Sequence, residues 1–390
     1  MAKRDFAQHN AEQAAVWQAF HEGRPTRVPM VLGINPRYTM WRPEANPRGI
    51  EFEPYTLDPD LMFERQLEHA YWINHHLVSD REMGVPESGW NVYVDFQNTY
   101  EAAWLGCEVV FRPGEVPDTV PRYRDDAGKW TIFDCGIPDP IHDGGWMSRA
   151  FEYLAHMRER AEGYEFHGKP VYANGVPGGG TDGPLTVACN VRGATEVLTD
   201  MLADPDYFHR LMDFITESII VRIRAHRAHF GQAVESTAWG YADDSVQLLS
   251  LDQYKQYVLP YHKRLVDTFG PEGPNSIHLC GKVSHLLPFL KEALNITAFD
   301  TGFPIDLGQM RRILGPEVLL YGGPDVAFLS HATPEQVRER TREILQSGVM
   351  AGGRFVLREG NNLPPQVPPE NVAAMYEACK AYGRYQGAAA

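Results

Sequence analysis

The chain is short of positive charge. It sets 36 Lys and Arg against 51 Asp and Glu, a net charge of −15 at pH 7. Nucleic acids and anionic membranes are gripped by basic patches, so neither is expected as the main partner. A neutral or cationic small molecule, or a basic protein surface, suits this balance better. Cysteine is scarce as well. Cys107, Cys135, Cys189, Cys280 and Cys379 are scattered, odd in number and form no CxxC pair. That excludes a disulfide framework and fits a reducing cytoplasm. No run of about 18 apolar residues occurs, and "MAKRDFAQHNAEQAAVW" lacks an apolar signal core, so a soluble protein is expected. No GxGxxG follows the first strand candidate, which removes the common dinucleotide fingerprint. The run "GVPGGGTDG" is Gly-rich but has no Lys-Ser/Thr ending, so it reads as a flexible loop and not a phosphate cradle. Neither an internal repeat nor a second-domain linker is visible.

What is present points to alternating strands and helices. A 390-residue chain that is 43% hydrophobic can bury a large core, and this length is normal for an α/β barrel with insertions. Residues 6–23 and 58–77 carry helical patterns, with Asp58 as N-cap and Pro59 at the first helical position. "RVPMVLGI" (27–34) is a short buried-strand candidate, followed by a Pro/Arg/aromatic-rich stretch without periodicity. Then "WNVYVDF", "KPVYANGV", "AVESTAWGY", "NSIHLCG", "ITAFDTG", "EVLLYGG" and "GRFVLREG" alternate with helical segments, including "TPEQVRERTREILQSG" with a capping box at Thr333 and Gln336. This order predicts parallel strands joined by crossovers. The expectation is a single (β/α)8 TIM-barrel domain over 1–390. Residues 1–80 would supply a helical and irregular extension and the first barrel elements.

Several strands end in chemistry: Asn174, Asp243-Asp244, His278 with Cys280, Asp300, and Arg358-Glu359. In a barrel such ends face one mouth. His278 and Cys280 stand two apart on a strand and share one face, and both are zinc-type donors. A satisfied histidine beside a small buried thiol is the plainer alternative. Asp243 and Asp244 can hold a substrate hydroxyl or act as general base, or cap the helix that follows. Tyr172, Asn174, Trp239 and Tyr241 can line an aromatic site or simply pack the barrel. Arg358 can bind a carboxylate or form an ordinary ion pair with Glu359.

Six blocks in order carry a resemblance: "GPLTVACNVRGATEVLTDMLADP", "WGYADDSVQLLS", "IHLCGKVSHLLPFL", "DLGQMRRILGPEVLLYGGPD", "TPEQVRERTREIL" and "PPENVAAMYEACKAYGRY". Together the chain resembles the uroporphyrinogen decarboxylase superfamily over roughly residues 84–385. The region "VPMVLGINPRYTMWRP" does not match the Arg-rich substrate motif of the decarboxylases. The corrinoid-dependent methyltransferase branch is more similar, and "YEAAWLGCEV" looks like its Glu-Ala-rich segment, with Glu101 at the matching position. That branch binds zinc through His-x-Cys, an acidic residue one strand on, and a Cys in a C-terminal turn. Here the last position is Asn361.

The resemblance therefore implies a metal set of His278 and Cys280 completed by Asp300 or Glu359, poorer in thiolate than usual. A harder site of this kind suits an ether or alcohol oxygen better than a thiol. The candidate catalytic carboxylates are Asp243, Asp244 and Glu359. The candidate substrate residues are Tyr172, Asn174, Trp239, Tyr241, Arg358 and Asn361. The implied activity is metal-assisted methyl transfer, such as O-demethylation, between a small methoxylated or methylated molecule and a corrinoid. No Asp-x-His-x-x-Gly segment is present, so a partner protein would carry the corrinoid; a homodimer is also allowed. The rival expectations are a decarboxylase-like lyase on a non-porphyrin substrate and a non-catalytic barrel that binds a tetrapyrrole or another ligand.

Overall fold

Alternate burial along short β-branched and aromatic strands builds the centre of the molecule. The computed structural model describes residues 4–134, 136–142, 145–236 and 238–385. Five strands lie side by side in one parallel sheet: Phe355–Leu357, Leu319–Gly322, Ile296–Thr301, Asn275–Leu279 and Trp239–Ala242. Helices separate them along the chain, which parallel pairing demands. A second sheet pairs Trp90–Val92 in parallel with Lys169–Ala173 and adds the short antiparallel Glu165–Phe166. A two-stranded hairpin, Glu108–Val110 with Asp118–Val120, stands apart from both.

The stretch expected as the first strand appears as a parallel bridge, Met30 to Leu357, reinforced by Val31 N–H to the Leu357 carbonyl. Among the described residues the parallel ladders fall in two separate sheets and not one continuous ring. The breaks fall after Ala173 and after Met30, where the strands are short and the chain leaves in loops. Single backbone bonds span them: Ala242 N–H to the Thr181 carbonyl at 3.1 Å and Asp80 N–H to the Met30 carbonyl at 2.7 Å.

Local signals place the helices. Asp58 accepts from the N–H groups of Asp60 and Leu61 and opens the Pro59–His76 helix. Asp204 caps the 25-residue Pro205–His229 helix, and Thr333 with Gln336 forms the expected capping box on Pro334–Ile344. The aperiodic stretch after residue 34 is more ordered than its composition suggests. It holds a short helix, Arg37–Met40, and Asn46 bonds the carbonyls of Met40 and Ile50. A buried Arg27–Asp80 pair, at 2.7 and 2.5 Å, ties the first strand to the chain just after the Pro59–His76 helix. Tyr376 of the Pro369–Tyr382 helix donates to the same Asp80. No helix among the described residues is long and apolar enough to cross a membrane.

Candidate metal centre

Strand register brings the chemistry together. Ala242, His278, Asp300 and Tyr321 are successive partners across four parallel strands. Their side chains share one face because each strand buries the alternate set, Tyr241, Ile277, Phe299 and Leu320, on the other. Cys280 stands two residues past His278 and projects to the same side. Its Sγ lies 3.3 Å from His278 Nε2. Asp244, just beyond the neighbouring strand, places Oδ1 4.0 Å from that nitrogen and accepts the Cys280 backbone N–H at 2.7 Å. Asp244, His278 and Cys280 thus present a carboxylate oxygen, an imidazole nitrogen and a sulfur all within 4.8 Å of one another.

The other imidazole nitrogen is occupied. His278 Nδ1 donates to Asp300 Oδ2 at 2.9 Å, and Arg358 Nη1 donates to the same oxygen at 2.5 Å. Burial pulls the imidazole pKa down, but the bonds and charges of Asp300 and Cys280 outweigh it and lift the pKa to about 10. Burial raises the pKa of Asp244. Asp300 was expected among the ligands. It sits behind the imidazole instead, and Asp244 takes the place at the front. The donor set fits zinc: nitrogen, sulfur and oxygen converge, and the imidazole is held by its far nitrogen as zinc-bound histidines usually are.

Glu359 does not join the cluster. It is fully buried, accepts the Gly33 N–H at 2.6 Å through Oε1, and leaves Oε2 without a partner. Burial pushes its pKa up to about 8, against the lowering pull of Arg358. A Cβ on Gly33 would lie 2.2 Å from Arg358 Nη2 and 2.6 Å from Glu359 Oε1, so only glycine lets the first strand approach this pair. Asn361 lies on the turn beyond, where its Oδ1 accepts from the Asn362 N–H.

Other expected residues fall elsewhere. Asp243 is wholly buried. It accepts from the N–H groups of Leu185 and Thr186, from the Thr186 hydroxyl, and from His262 Nε2 at 2.8 Å. It caps the Pro184–Arg192 helix, not a helix after it, and cannot reach a substrate. Trp239 and Tyr241 stack on each other at 4.8 Å and point into the core, Trp239 against Phe269 and Tyr241 against His262. Strand alternation gives the open face to Gly240 and Ala242. Tyr172 and Asn174 are exposed on the second sheet, and Asn174 donates to Asn91 at 2.6 Å.

One arrangement escaped the sequence reading. Buried Arg222 holds the carbonyls of Gly178 and Gly180 and bonds Glu101. Glu101 accepts from the Thr181 hydroxyl and the Asp182 N–H. The Gly-rich run expected to be flexible is therefore strapped down. The strap holds Asp182 beside Asp244 in a polar recess of about 250 Å³. Burial and the charges of Glu101 and Asp244 raise the Asp182 pKa to about 7. Arg222 lies on a helix face, where its spacing gave no sign of a partner so distant in sequence.

The uroporphyrinogen decarboxylase (URO-D) family model matches residues 91–382, and the chain belongs to that family. A methylated-thiol–coenzyme M methyltransferase of Methanosarcina mazei is 28% identical over 292 residues, covering 73% of this chain and 71% of that protein. A uroporphyrinogen decarboxylase of Trichlorobacter lovleyi is 29% identical over 284 residues, covering 70% and 74%. A solved methyltransferase structure from Methanosarcina mazei superposes with a TM-score of 0.64 at 18% identity, covering 95% of this chain and 98% of that one, which establishes the shared α/β fold. The family thus contains relatives of both activities.

Proposed function

We propose that this protein is a single-domain cytoplasmic (β/α)8 enzyme. In this reading it moves a methyl group between a small methoxylated or methylated substrate and a corrinoid held by a separate protein, with zinc assistance. The observation that carries this is the convergence of Asp244, His278 and Cys280 within 4.8 Å. Zinc would supply Lewis acidity to the heteroatom that bears the methyl group. Asp244, His278 and Cys280 would hold it. Asp300 orients the imidazole and leaves its Nε2 toward Cys280, where it could ligate. Arg358 in turn holds Asp300. In the demethylation direction the bond from methyl carbon to heteroatom breaks, its electron pair stays on the heteroatom, and a new bond joins that carbon to cobalt(I).

The decarboxylase alternative has less support. A polycarboxylate needs several free cations, whereas Arg358 in the adjoining cavity is already paired with Asp300 and Glu359. The test is metal content and methyl transfer on the same preparation. Protein stripped with chelator should regain zinc near one per chain, and only then methylate cob(I)alamin from a methoxylated donor. Methyl transfer of equal rate in stripped protein would defeat the proposal.

A further inference from the structure

The Gly-rich run 175–183 closes the side of the barrel, and side chains hold its middle. It crosses the gap between the two parallel sheets, where Ala242 N–H bonds the Thr181 carbonyl. Gly180 and Thr181 also form part of the wall of the cavity that His278 and Asp300 line. Arg222 holds the carbonyls of Gly178 and Gly180 at 2.6 and 2.9 Å, and the Tyr100 hydroxyl reaches the Gly180 carbonyl at 3.4 Å. Gly178 has a φ of +113°, a conformation that glycine adopts without strain. A Cβ on it would lie 2.7 Å from Met147 Cε, so the run lies directly on Met147, which is fully buried.

One turn beyond Arg222, on the same Pro205–His229 helix, stands His226. A Cβ on Gly179 would lie 2.9 Å from its Cε1 and 3.3 Å from each ring nitrogen, so the imidazole packs directly on this glycine. Its Nδ1 is buried and has no hydrogen-bond partner. The charged groups around it are mostly cationic. Arg222, Arg227 and His229 share its helix. Arg158 of the Trp146–Ala161 helix lies over the Phe230 ring, which packs against His226 at 4.8 Å. Residues 175–181 carry no charge, and Asp182 follows at the far end of the run. From the Tyr100–Trp104 helix comes Glu101, already bonded to Arg222. Burial above all, and then the neighbouring cations, hold the His226 pKa below its ordinary 6.5, against a bond to the Val176 backbone. The closed run therefore keeps a neutral imidazole, and protons bind the open form more tightly. Closure is unaffected above pH 6.5 and is lost progressively as pH falls below it.

We propose that residues 175–183 form a proton-operated gate in the side of the barrel, latched by His226. Protonation would set a further cation beside Arg222 and give the buried Nδ1 a proton with no acceptor. The run would then lift off the helix. Lifting would breach the cavity wall at Gly180 and Thr181 and draw Asp182 out of the recess that it shares with Asp244. The gate does not depend on the methyl-transfer reading.

Peroxide oxidation of Met147, followed by peptide mass spectrometry, reads the opening without any substrate. Met375, equally buried on the Pro369–Tyr382 helix, reads global unfolding. In wild type Met147 should oxidise at least tenfold faster at pH 5 than at pH 7.5, with Met375 unchanged. His226→Phe keeps a ring against Gly179, and His226→Gln keeps an uncharged polar chain. In both, Met147 should stay slow at pH 5. Asp182→Asn removes the other titrating group of the run and should still open at pH 5. A wild-type Met147 rate indifferent to pH, or a parallel rise at Met375, overturns the inference. So does acid opening that survives in both His226 variants, or acid opening that disappears in Asp182→Asn.

Discussion

His278 Nδ1 and Asp300 Oδ2 lie 2.9 Å apart, so the imidazole is held by a carboxylate on the next strand while Nε2 faces Cys280. Such a partner fixes ring orientation and raises the basicity of the ligating nitrogen, and its loss typically costs about 10–100-fold in metal affinity. Asp300→Ala should weaken zinc binding by about that factor. Competition against a chromophoric chelator measures it. Unchanged affinity would mean the imidazole is oriented by something else.

Glu359 predicts a pH dependence of stability. Its pKa rises from 4.5 to about 8 in the folded protein, with burial as the largest cause. Between those values the folded state holds a proton that the unfolded state has released. The stabilisation is therefore complete below the unfolded pKa and fades as pH climbs through the folded one. Glu359→Gln keeps the shape and removes the titration. Relative to wild type, the variant should gain on the order of a few kcal/mol between pH 5 and pH 9. Urea unfolding at both values reads this directly, and an equal offset at both would refute it.

Much of the fold was legible because its signals are local. Asp58-Pro59, Asp204-Pro205 and Thr333 with Gln336 announce helix starts through bonds to residues two to three positions on. The His278–Cys280 pairing was equally readable, since strand alternation alone puts both on one face. What stayed hidden depends on register between distant segments. Nothing near Asp244 says that it meets Cys280 or that Asp300 meets the back of the imidazole. The first follows from Ala242 pairing with His278, the second from His278 pairing with Asp300. The inward turn of Trp239 and Tyr241 was a matter of phase: the same aromatic alternation permits either face, and the helix carrying Phe269 and His262 decides it.

Asp243 separates a structural role from a catalytic one. It and His262 are both fully buried, and Asp243 also satisfies the first turn of the Pro184–Arg192 helix. Removing one partner of a buried pair costs about 3–5 kcal/mol. Asp243→Ala should therefore lower the unfolding free energy by about that amount. Conservative Asp243→Asn should retain more of the helix cap and lose less. Thermal and urea unfolding decide the matter. A variant of wild-type stability that had lost all methyl transfer would return Asp243 to the catalytic group.

The final prediction concerns the sulfur count at the metal. Gly302 packs between Cys280 and the turn that carries Asn361: a Cβ on it would lie 2.5 Å from Cys280 Sγ and 2.9 Å from the Gly360 carbonyl oxygen. Position 361 is thus one residue from a backbone already beside that sulfur. A carboxylate is a harder donor than sulfur, so the set of Asp244, His278 and Cys280 should hold zinc more weakly than one with two thiolates. Purification in chelator should leave less than one zinc per chain, restored by added zinc. Cys280→Ala should abolish both the restoration and the activity. Asn361→Cys should raise zinc affinity and, by softening the site, improve methylation of simple thiols from methylcobalamin, which the native protein should perform poorly. Rapid thiol methylation by the native protein would show that the oxygen donor does not set the preference. Equal zinc retention in wild type and Cys280→Ala would remove the metal centre altogether.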